Sequence, residues 1–213
     1  MNLERLRAAE ADFLGRYPLG FRDPGLAMIG KRHKVAKLSE FAQRSFTRDA
    51  FKRRRVVLDD MVRIIGRSSM VSMFEKPKFR DFVAGLNRDD RDTLVEALKR
   101  MLHGRDGSAR RGFETLVDLL LGEKLAKWSL VTAVPYYLHP NREVFVKPTT
   151  AKGVVAAFEL DVPPYRPCPS WDFYRAYREQ ILAMRALVHP DLAPSNAAFS
   201  GFLMMTMKQV AAD

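Results

Sequence analysis

The fold class is decided by residues 87–104, NRDDRDTLVEALKRMLHG, which contain the signals of an α-helix in their order. Asn87 is a residue type that caps helix N-termini, and Asp89 and Asp90 follow where the helix dipole favours negative charge. The apolar residues then recur with the spacing of one buried helix face, at Leu94, Leu98 and Met101. Gly104 is suited to end the helix. The stretch predicts one amphipathic helix and indicates a mainly α class.

Similar patterns on both sides predict further helices. Those expected upstream are residues 2–14, residues 31–46, a helix capped by Thr47, and a short helix that ends near Gly85. The N-caps expected downstream are Ser108, either Thr149 or Thr150, and Ser170. Residues 17–30 contain two prolines and three glycines, which predicts a loop. The last apolar stretch, residues 195–209, fits a helix or a strand.

The sequence changes character at residues 128–148, WSLVTAVPYYLHPNREVFVKP. β-Branched and aromatic residues stand on both sides of a turn-forming His139-Pro140-Asn141, which favours a short antiparallel pair with Pro135 at an edge or bulge. A helix up to Pro135 is the competing interpretation. We therefore expect a mainly α, helical bundle-like domain with a short antiparallel β element in its C-terminal half.

Length and composition favour one domain over residues 1–213, with a helical basic part at 1–124 and a mixed part at 125–213. The chain has 213 residues, of which 47% are apolar, enough to bury a core. No run approaches the roughly 18 apolar residues of a membrane span, and the start, MNLERLRAAEADF, lacks the apolar centre of a signal peptide. Cys168 is the single cysteine, which excludes an internal disulfide. These features indicate a cytoplasmic protein with no membrane partner.

The charge of the chain is strongly positive and unevenly distributed. Lys and Arg number 36 against 25 Asp and Glu, which gives +11 and a pI near 10. Residues 31–67 contain twelve Lys or Arg and four Asp or Glu, so this segment carries +8 of the total. Such a field favours a polyanionic partner, either nucleic acid or an acidic protein.

The densest part of this charge is residues 47–60, TRDAFKRRRVVLDD, at the start of the third predicted helix. Pairs at helical spacing, Arg55 with Asp59 and Asp59 with Arg63, are expected to neutralise part of it, at about 0.3 kcal/mol each. The aspartates cannot cancel every cation, so phosphate groups are the predicted ligand. The cations assigned to this surface are Lys31, Arg32, Lys34, Lys37, Lys52, Arg53, Arg54, Arg55, Arg63 and Arg67. An ordinary solvated helix face is the alternative.

Sequence motifs for catalysis or metal binding are missing. Neither a phosphate-binding glycine loop nor the GxSxG pattern of hydrolases occurs. The histidines lack the spacing of metal ligands: His33, His103, His139 and His189. The adjacent aspartates at positions 59–60 and 89–90 are better explained by ion pairs and by the helix dipole than by catalysis. We expect no metal site and no cofactor.

A small-molecule site, if the chain has one, is expected at residues distant in sequence: His139, Lys147 and Arg166. Lys147 follows an apolar segment and precedes a proline, so its ammonium either faces a ligand or extends into water. The aromatic residues from Trp171 to Tyr177 are either a stacking platform or a buried stripe. The Met-rich C-terminal segment is either core or the contact of a homodimer.

The sequence also resembles small uncharacterised bacterial proteins over roughly its last 85 residues. The resemblance rests on WSLVTAVPYYLHPNREVFVKPTT, on WDFYRAYRE and on DLAPSNAAFSGF. It implies a single cooperating unit in the C-terminal half. It implies no activity, and no functional residue follows from it.

Three functions are consistent with the sequence. The first is non-specific nucleic-acid binding through a basic helical surface at residues 31–67. The second is a protein-interaction or regulatory module with an acidic partner. The third is an enzyme whose site cannot be identified from motifs.

Overall fold

The computed structural model describes residues 1–26 and 34–210, and it is mainly α-helical. The α-helices of these residues are α1 Leu3–Arg16, α2 Val35–Ser45, α3 Arg54–Arg67, α4 Glu75–Gly85, α5 Arg88–His103, α6 Asp106–Gly122, α7 Trp128–Leu138, α8 Pro148–Ala157, α9 Trp171–Leu187 and α10 Asn196–Val210. Short 3-10 turns lie at Gly20–Arg22, Pro24–Leu26, Arg48–Lys52 and Pro190–Leu192. The described residues contain no β-strand.

The chain is divided into two compact units. The first contains Met1–Lys34, Pro140–Tyr165 and Asp172–Asp213, and the second contains Val35–His139 and Arg166–Trp171. Helices α2 to α7 therefore belong to the second unit. The single domain expected over the whole chain stays a prediction.

Helix α7 is the centre of the second unit. All eleven of its residues are buried, and α2, α3 and α6 pack against it. A helix that is apolar on every side is stable only when other elements surround it. Pro135 lies inside the helix, where it removes one backbone hydrogen bond. The helix continues past it to Leu138, held by the packing around it.

The predicted antiparallel β element is wrong. Its first half is α7, so the competing helical interpretation applies and extends three residues beyond Pro135. Its second half, residues 143–147, has no regular structure and no strand beside it in the part of the chain that the structure describes. The physical reason is that β propensity is weak, and burial on all sides overrides it.

The helix starts test the cap predictions. Asn87 is confirmed, because its Oδ1 accepts the N–H of Asp90 at 2.9 Å. Thr47 does cap, but it caps the 3-10 turn Arg48–Lys52 and not α3. Ser108 is not a cap, since α6 begins two residues earlier at Asp106. Thr149 and Thr150 also lie inside a helix, because Pro148 takes the first position of α8.

In the first unit, α10 packs against α1 and α8. The C-terminal segment is thus a helix, with Phe199 and Phe202 fully buried in the core of this unit. Gly153 on α8 permits the close approach, since a Cβ there would lie 2.6 Å from the Sδ of Met207. No helix in residues 1–26 and 34–210 has both the length and the apolar character to span a membrane.

Candidate functional site

The run Lys52 to Arg55 lies at the junction between a 3-10 turn and α3. Lys52 ends the turn, Arg53 occupies the N-cap position, and Arg54 begins the helix. The Nζ of Lys52 lies 2.8 Å from Asp49, and Arg54 pairs with Asp92 of α5. Arg53 and Arg55 are exposed, and the ion pairs of this run with described residues are those of Lys52 and Arg54. The run is therefore only half neutralised.

The ion pairs expected along α3 are replaced by a different one. Arg63 pairs with Asp60, Nη1 to Oδ1 at 3.2 Å, and not with Asp59. Asp60 is buried, whereas Asp59 is exposed. No pair joins Arg55 to Asp59 in the described residues. The predicted pairs through Asp59 are wrong, and Arg55 keeps its charge.

Two helices bring cations around one aromatic ring. Lys37, Phe41 and Arg44 share one side of α2, because they are four and three residues apart. The guanidinium groups of Arg63 and Arg67, one turn apart on α3, lie 5.5 and 5.9 Å from the centre of the Phe41 ring. Lys37, Phe41, Arg44, Arg63 and Arg67 are named the α2–α3 face below.

The α2–α3 face is net positive. Its four cations are exposed, and three carboxylates lie within one helical turn of them along the two helices: Glu40, Asp59 and Asp60. Only Arg63 is in an ion pair with a described residue. The neighbouring Arg48 is a structural cation, because its Nη2 donates to the carbonyl oxygen of His103 at 2.8 Å and so satisfies the C-terminus of α5.

The structure places the other predicted cations in different settings. Lys31 and Arg32 lie outside the described residues. Lys34 is exposed and belongs to the first unit. The second unit thus contains seven of the ten assigned cations: Lys37, Lys52, Arg53, Arg54, Arg55, Arg63 and Arg67.

Sequence reasoning missed the turn between α3 and α4. Met73 and Phe74 stand directly before α4, are 73% and 75% exposed, and are called the tip of this turn below. An apolar pair within a serine-rich segment, SSMVSMFE, was the available signal. The turn is held by two hydrogen bonds to α7, one from each of its ends: Ser68 with Tyr137, and Glu75 with Ser129.

An open cleft of about 750 Å³ lies between α4, α5 and α6. Its lining mixes apolar residues with charged ones, among them Phe82, Leu119, Lys78, Asp81, Asp90 and Glu123. Asp81 pairs with Arg80, and Asp90 accepts from the Asn87 side chain. None of the residues predicted to bind a ligand lines this cleft.

The three residues of the predicted ligand site belong to different units. His139 and Arg166 are in the second unit, and Lys147 is in the first. His139 follows α7, with its Nε2 3.4 Å from the carbonyl oxygen of Leu102. Arg166 accepts a hydrogen bond from the Trp128 indole through its backbone oxygen, and its side chain is exposed. A common site for the three stays a prediction. Among the described residues, no group of His, Cys, Asp and Glu is arranged to hold a metal ion.

The first unit contains a buried polar network around Glu143. Tyr174 donates to its carboxylate at 2.8 Å, and Arg178 donates at 2.9 and 3.1 Å. Burial alone would raise the pKa of Glu143, but the charge of Arg178, the hydrogen bonds and the charge of Arg142 hold it below its usual value. Burial and the Glu143 charge raise the pKa of Tyr174 well above its usual value. The charged and polar groups of the network satisfy one another's hydrogen bonds, as expected of a network that stabilises the fold.

The burial of the aromatic residues of α9 shows which of their two predicted roles applies. Trp171, Tyr174 and Tyr177 are all buried. Buried rings are not available to stack on the bases of a strand, so the alternative of a stacking platform is wrong for them.

Fold and site together define a mainly helical, basic protein with a cationic surface on one unit. No protein-family model matches the chain, and no curated protein or solved structure was found to be similar to it. The resemblance to small bacterial proteins stays a prediction.

Proposed function

We propose that the chain binds nucleic acid without sequence preference, through phosphate contacts from the α2–α3 face and from Arg53 and Arg55. The cytoplasm is the proposed location. The observation that supports this most is the position of Arg63 and Arg67 over Phe41. An aromatic ring between basic side chains is a combination suited to a nucleic-acid strand.

The chemistry of the two arginines fits phosphate. A guanidinium is planar and offers its N–H donors as a fork that matches two phosphate oxygens. Packing of each flat group against Phe41 is worth roughly 0.5–1 kcal/mol at an exposed site. The packing also orders the side chains in advance, so that less conformational entropy is lost when an anion binds.

The start of α3 gives independent support. Arg53, Arg54 and Arg55 stand at the positive end of a helix dipole, and the first turn contains no acidic residue. Each cation in such a position opposes the dipole by roughly 0.3–1 kcal/mol. Only Arg54 is compensated, by Asp92. An anionic ligand would relieve this repulsion.

An acidic protein surface is the second candidate partner. It is favoured by Val56, which is 42% exposed and lies two helical turns before Arg63 on the same side of α3. An apolar side chain among cations fits a protein interface better than it fits a phosphate backbone. A homodimer contact and an enzymatic site at His139, Lys147 and Arg166 have no comparable support.

The test is a titration of labelled single-stranded DNA, duplex DNA and RNA at about 50 and 200 mM salt. Wild type is compared with the double variant Arg63→Gln and Arg67→Gln. The matched control is Arg88→Gln with Arg111→Gln, two exposed arginines of α5 and α6 without an ion pair to a described residue. The first variant should reduce the salt slope of log K by about 2, and the control should leave it within experimental error. No binding by wild type at the lower salt would refute the proposal.

A further inference from the structure

The most exposed large apolar side chains of the described residues are neighbours. Met73 and Phe74 are 73% and 75% exposed, at the tip of the turn between α3 and α4. Single exposed apolar residues are ordinary on protein surfaces, whereas contiguous exposed apolar surface is typical of contact sites.

The turn that exposes Met73 and Phe74 is held in place at both ends. Before the tip, the hydroxyl groups of Ser68 and Tyr137 lie 2.9 Å apart in a buried setting. After the tip, the Ser129 hydroxyl donates to Glu75 at 2.7 Å. Ser129 and Tyr137 both belong to α7, and Val71 is buried between the two anchors. Both ends of the turn are thus held against α7 by side-chain hydrogen bonds.

The charges around the tip favour an anionic ligand. Arg67 precedes Ser68 directly, and three cations follow the tip: Lys76, Lys78 and Arg80. Of the carboxylates nearby, Glu75 accepts from Ser129 and Asp81 pairs with Arg80. The tip is also continuous along the chain with the α2–α3 face, since Arg67 belongs to that face. Phe74 is seven positions after Arg67, which limits the distance between their Cα atoms to about 25 Å.

We propose that Phe74, together with Met73, stacks on an unpaired base of the strand whose phosphates the α2–α3 face binds. This inference rests on the proposed function and deepens it, because it names single-stranded nucleic acid as the preferred ligand. Every base has a π-face, so a freely exposed ring stacks without reading sequence. In a duplex these faces are covered by the neighbouring bases, and an exposed ring reaches them only at unpaired positions.

The experiment compares a single strand of about 12 nucleotides with the blunt duplex of the same sequence, each containing 2-aminopurine as a stacking reporter. The proteins are wild type, Phe74→Ala, Phe74→Tyr, and the control Leu121→Ala, which truncates a side chain that is 53% exposed at the end of α6. Phe74→Ala should weaken single-strand binding roughly 5- to 150-fold and duplex binding less than twofold. Phe74→Tyr should retain the affinity and the quenching of 2-aminopurine, and Leu121→Ala should behave as wild type.

The outcomes separate this inference from the proposed function. If wild type binds oligonucleotides and Phe74→Ala binds them equally well, base stacking is refuted while phosphate binding stands. If wild type binds no oligonucleotide, both fail. A further arm uses vesicles that contain phosphatidylserine. Vesicle binding that is lost in Phe74→Ala, with oligonucleotide binding unchanged, would overturn the inference in favour of a membrane surface.

Discussion

Arg178 holds the buried carboxylate of Glu143, with its Nη1 2.9 Å from one oxygen and 3.1 Å from the other. The glutamate side chain is 8% exposed and the arginine side chain 18%. Both charges are therefore largely removed from water. Removal of one partner leaves the other charged and desolvated, which is more damaging than loss of a surface pair.

Glu143→Gln is expected to lower the free energy of unfolding at pH 7 by about 3–5 kcal/mol, because it leaves the Arg178 charge without its counter-ion. Urea titration followed by circular dichroism measures the change. Glu179→Gln is the matched control, since Glu179 pairs with Arg175 at the surface of α9, the helix that carries Arg178. It should cost less than about 1 kcal/mol.

The effect of Glu143→Gln on stability should depend on pH. The pKa of Glu143 is lower in the folded chain than its unfolded value of about 4.3. The unfolded state therefore binds more protons, and the stabilisation is fully present above this value and lost as pH falls through the folded pKa. The stability difference between wild type and Glu143→Gln should be largest near neutral pH and shrink below about pH 4. A difference independent of pH between 7 and 2.5 would contradict it.

Tyr137→Phe tests the first anchor of the Met73–Phe74 turn. It removes the hydroxyl that lies 2.9 Å from Ser68, and we expect a loss of about 0.5–1.5 kcal/mol in the free energy of unfolding. Amide hydrogen exchange at Met70 to Phe74 should accelerate as the turn loosens. Tyr17→Phe, at a half-buried tyrosine of the first unit, serves as the control. Unchanged exchange in the turn would show that the hydrogen bond between Ser68 and Tyr137 does not anchor it.

Arg55→Glu should raise the stability of the chain and weaken its binding to nucleic acid. Arg55 stands in the first turn of α3 without an ion pair to a described residue, so an acidic residue there suits the dipole better. The variant should gain roughly 0.5–2 kcal/mol in the free energy of unfolding and bind single-stranded DNA more weakly than wild type. Lys99→Glu, near the C-terminal end of α5, should instead lower the free energy of unfolding, because the helix dipole disfavours a carboxylate there. An Arg55→Glu protein that is less stable than wild type would contradict the unfavourable placement of this cation.

The helix features that the sequence predicts correctly are those that depend on residues close together in the chain. Asn87 caps α5 as predicted, because a cap depends on residues three positions apart. The β-branched and aromatic content of α7 favours a strand over the competing helix. Its helical state depends on α2, α3 and α6, whose packing around it is set by distant parts of the chain.

The candidate site likewise contains features that the sequence predicts and others that only the structure shows. The cations of residues 31–67 are visible in the sequence, but their partners are not. Arg54 pairs with Asp92, which is 38 positions further along the chain, and Arg67 meets Phe41 on another helix. The turn that carries Phe74 is held by Ser129 and Tyr137 of α7, which lie more than fifty positions further along the chain. Pairings of this kind are tertiary and leave no periodic signal.

The packing of α6 against α5 depends on Gly112. A Cβ at this position would lie 2.5 Å from the carbonyl oxygen of Ala97 and 2.5 Å from the backbone nitrogen of Met101. These are backbone atoms of α5, so the helices must separate, and Gly112→Ala should cost about 1–3 kcal/mol or more. Gly107→Ala is the matched control on the same helix, because nothing lies within 4 Å of its Cβ position. It should stabilise the chain by about 0.5–1 kcal/mol through helix propensity. Urea unfolding of both variants measures the contrast, and equal effects of the two alanines would refute the close contact of α5 and α6.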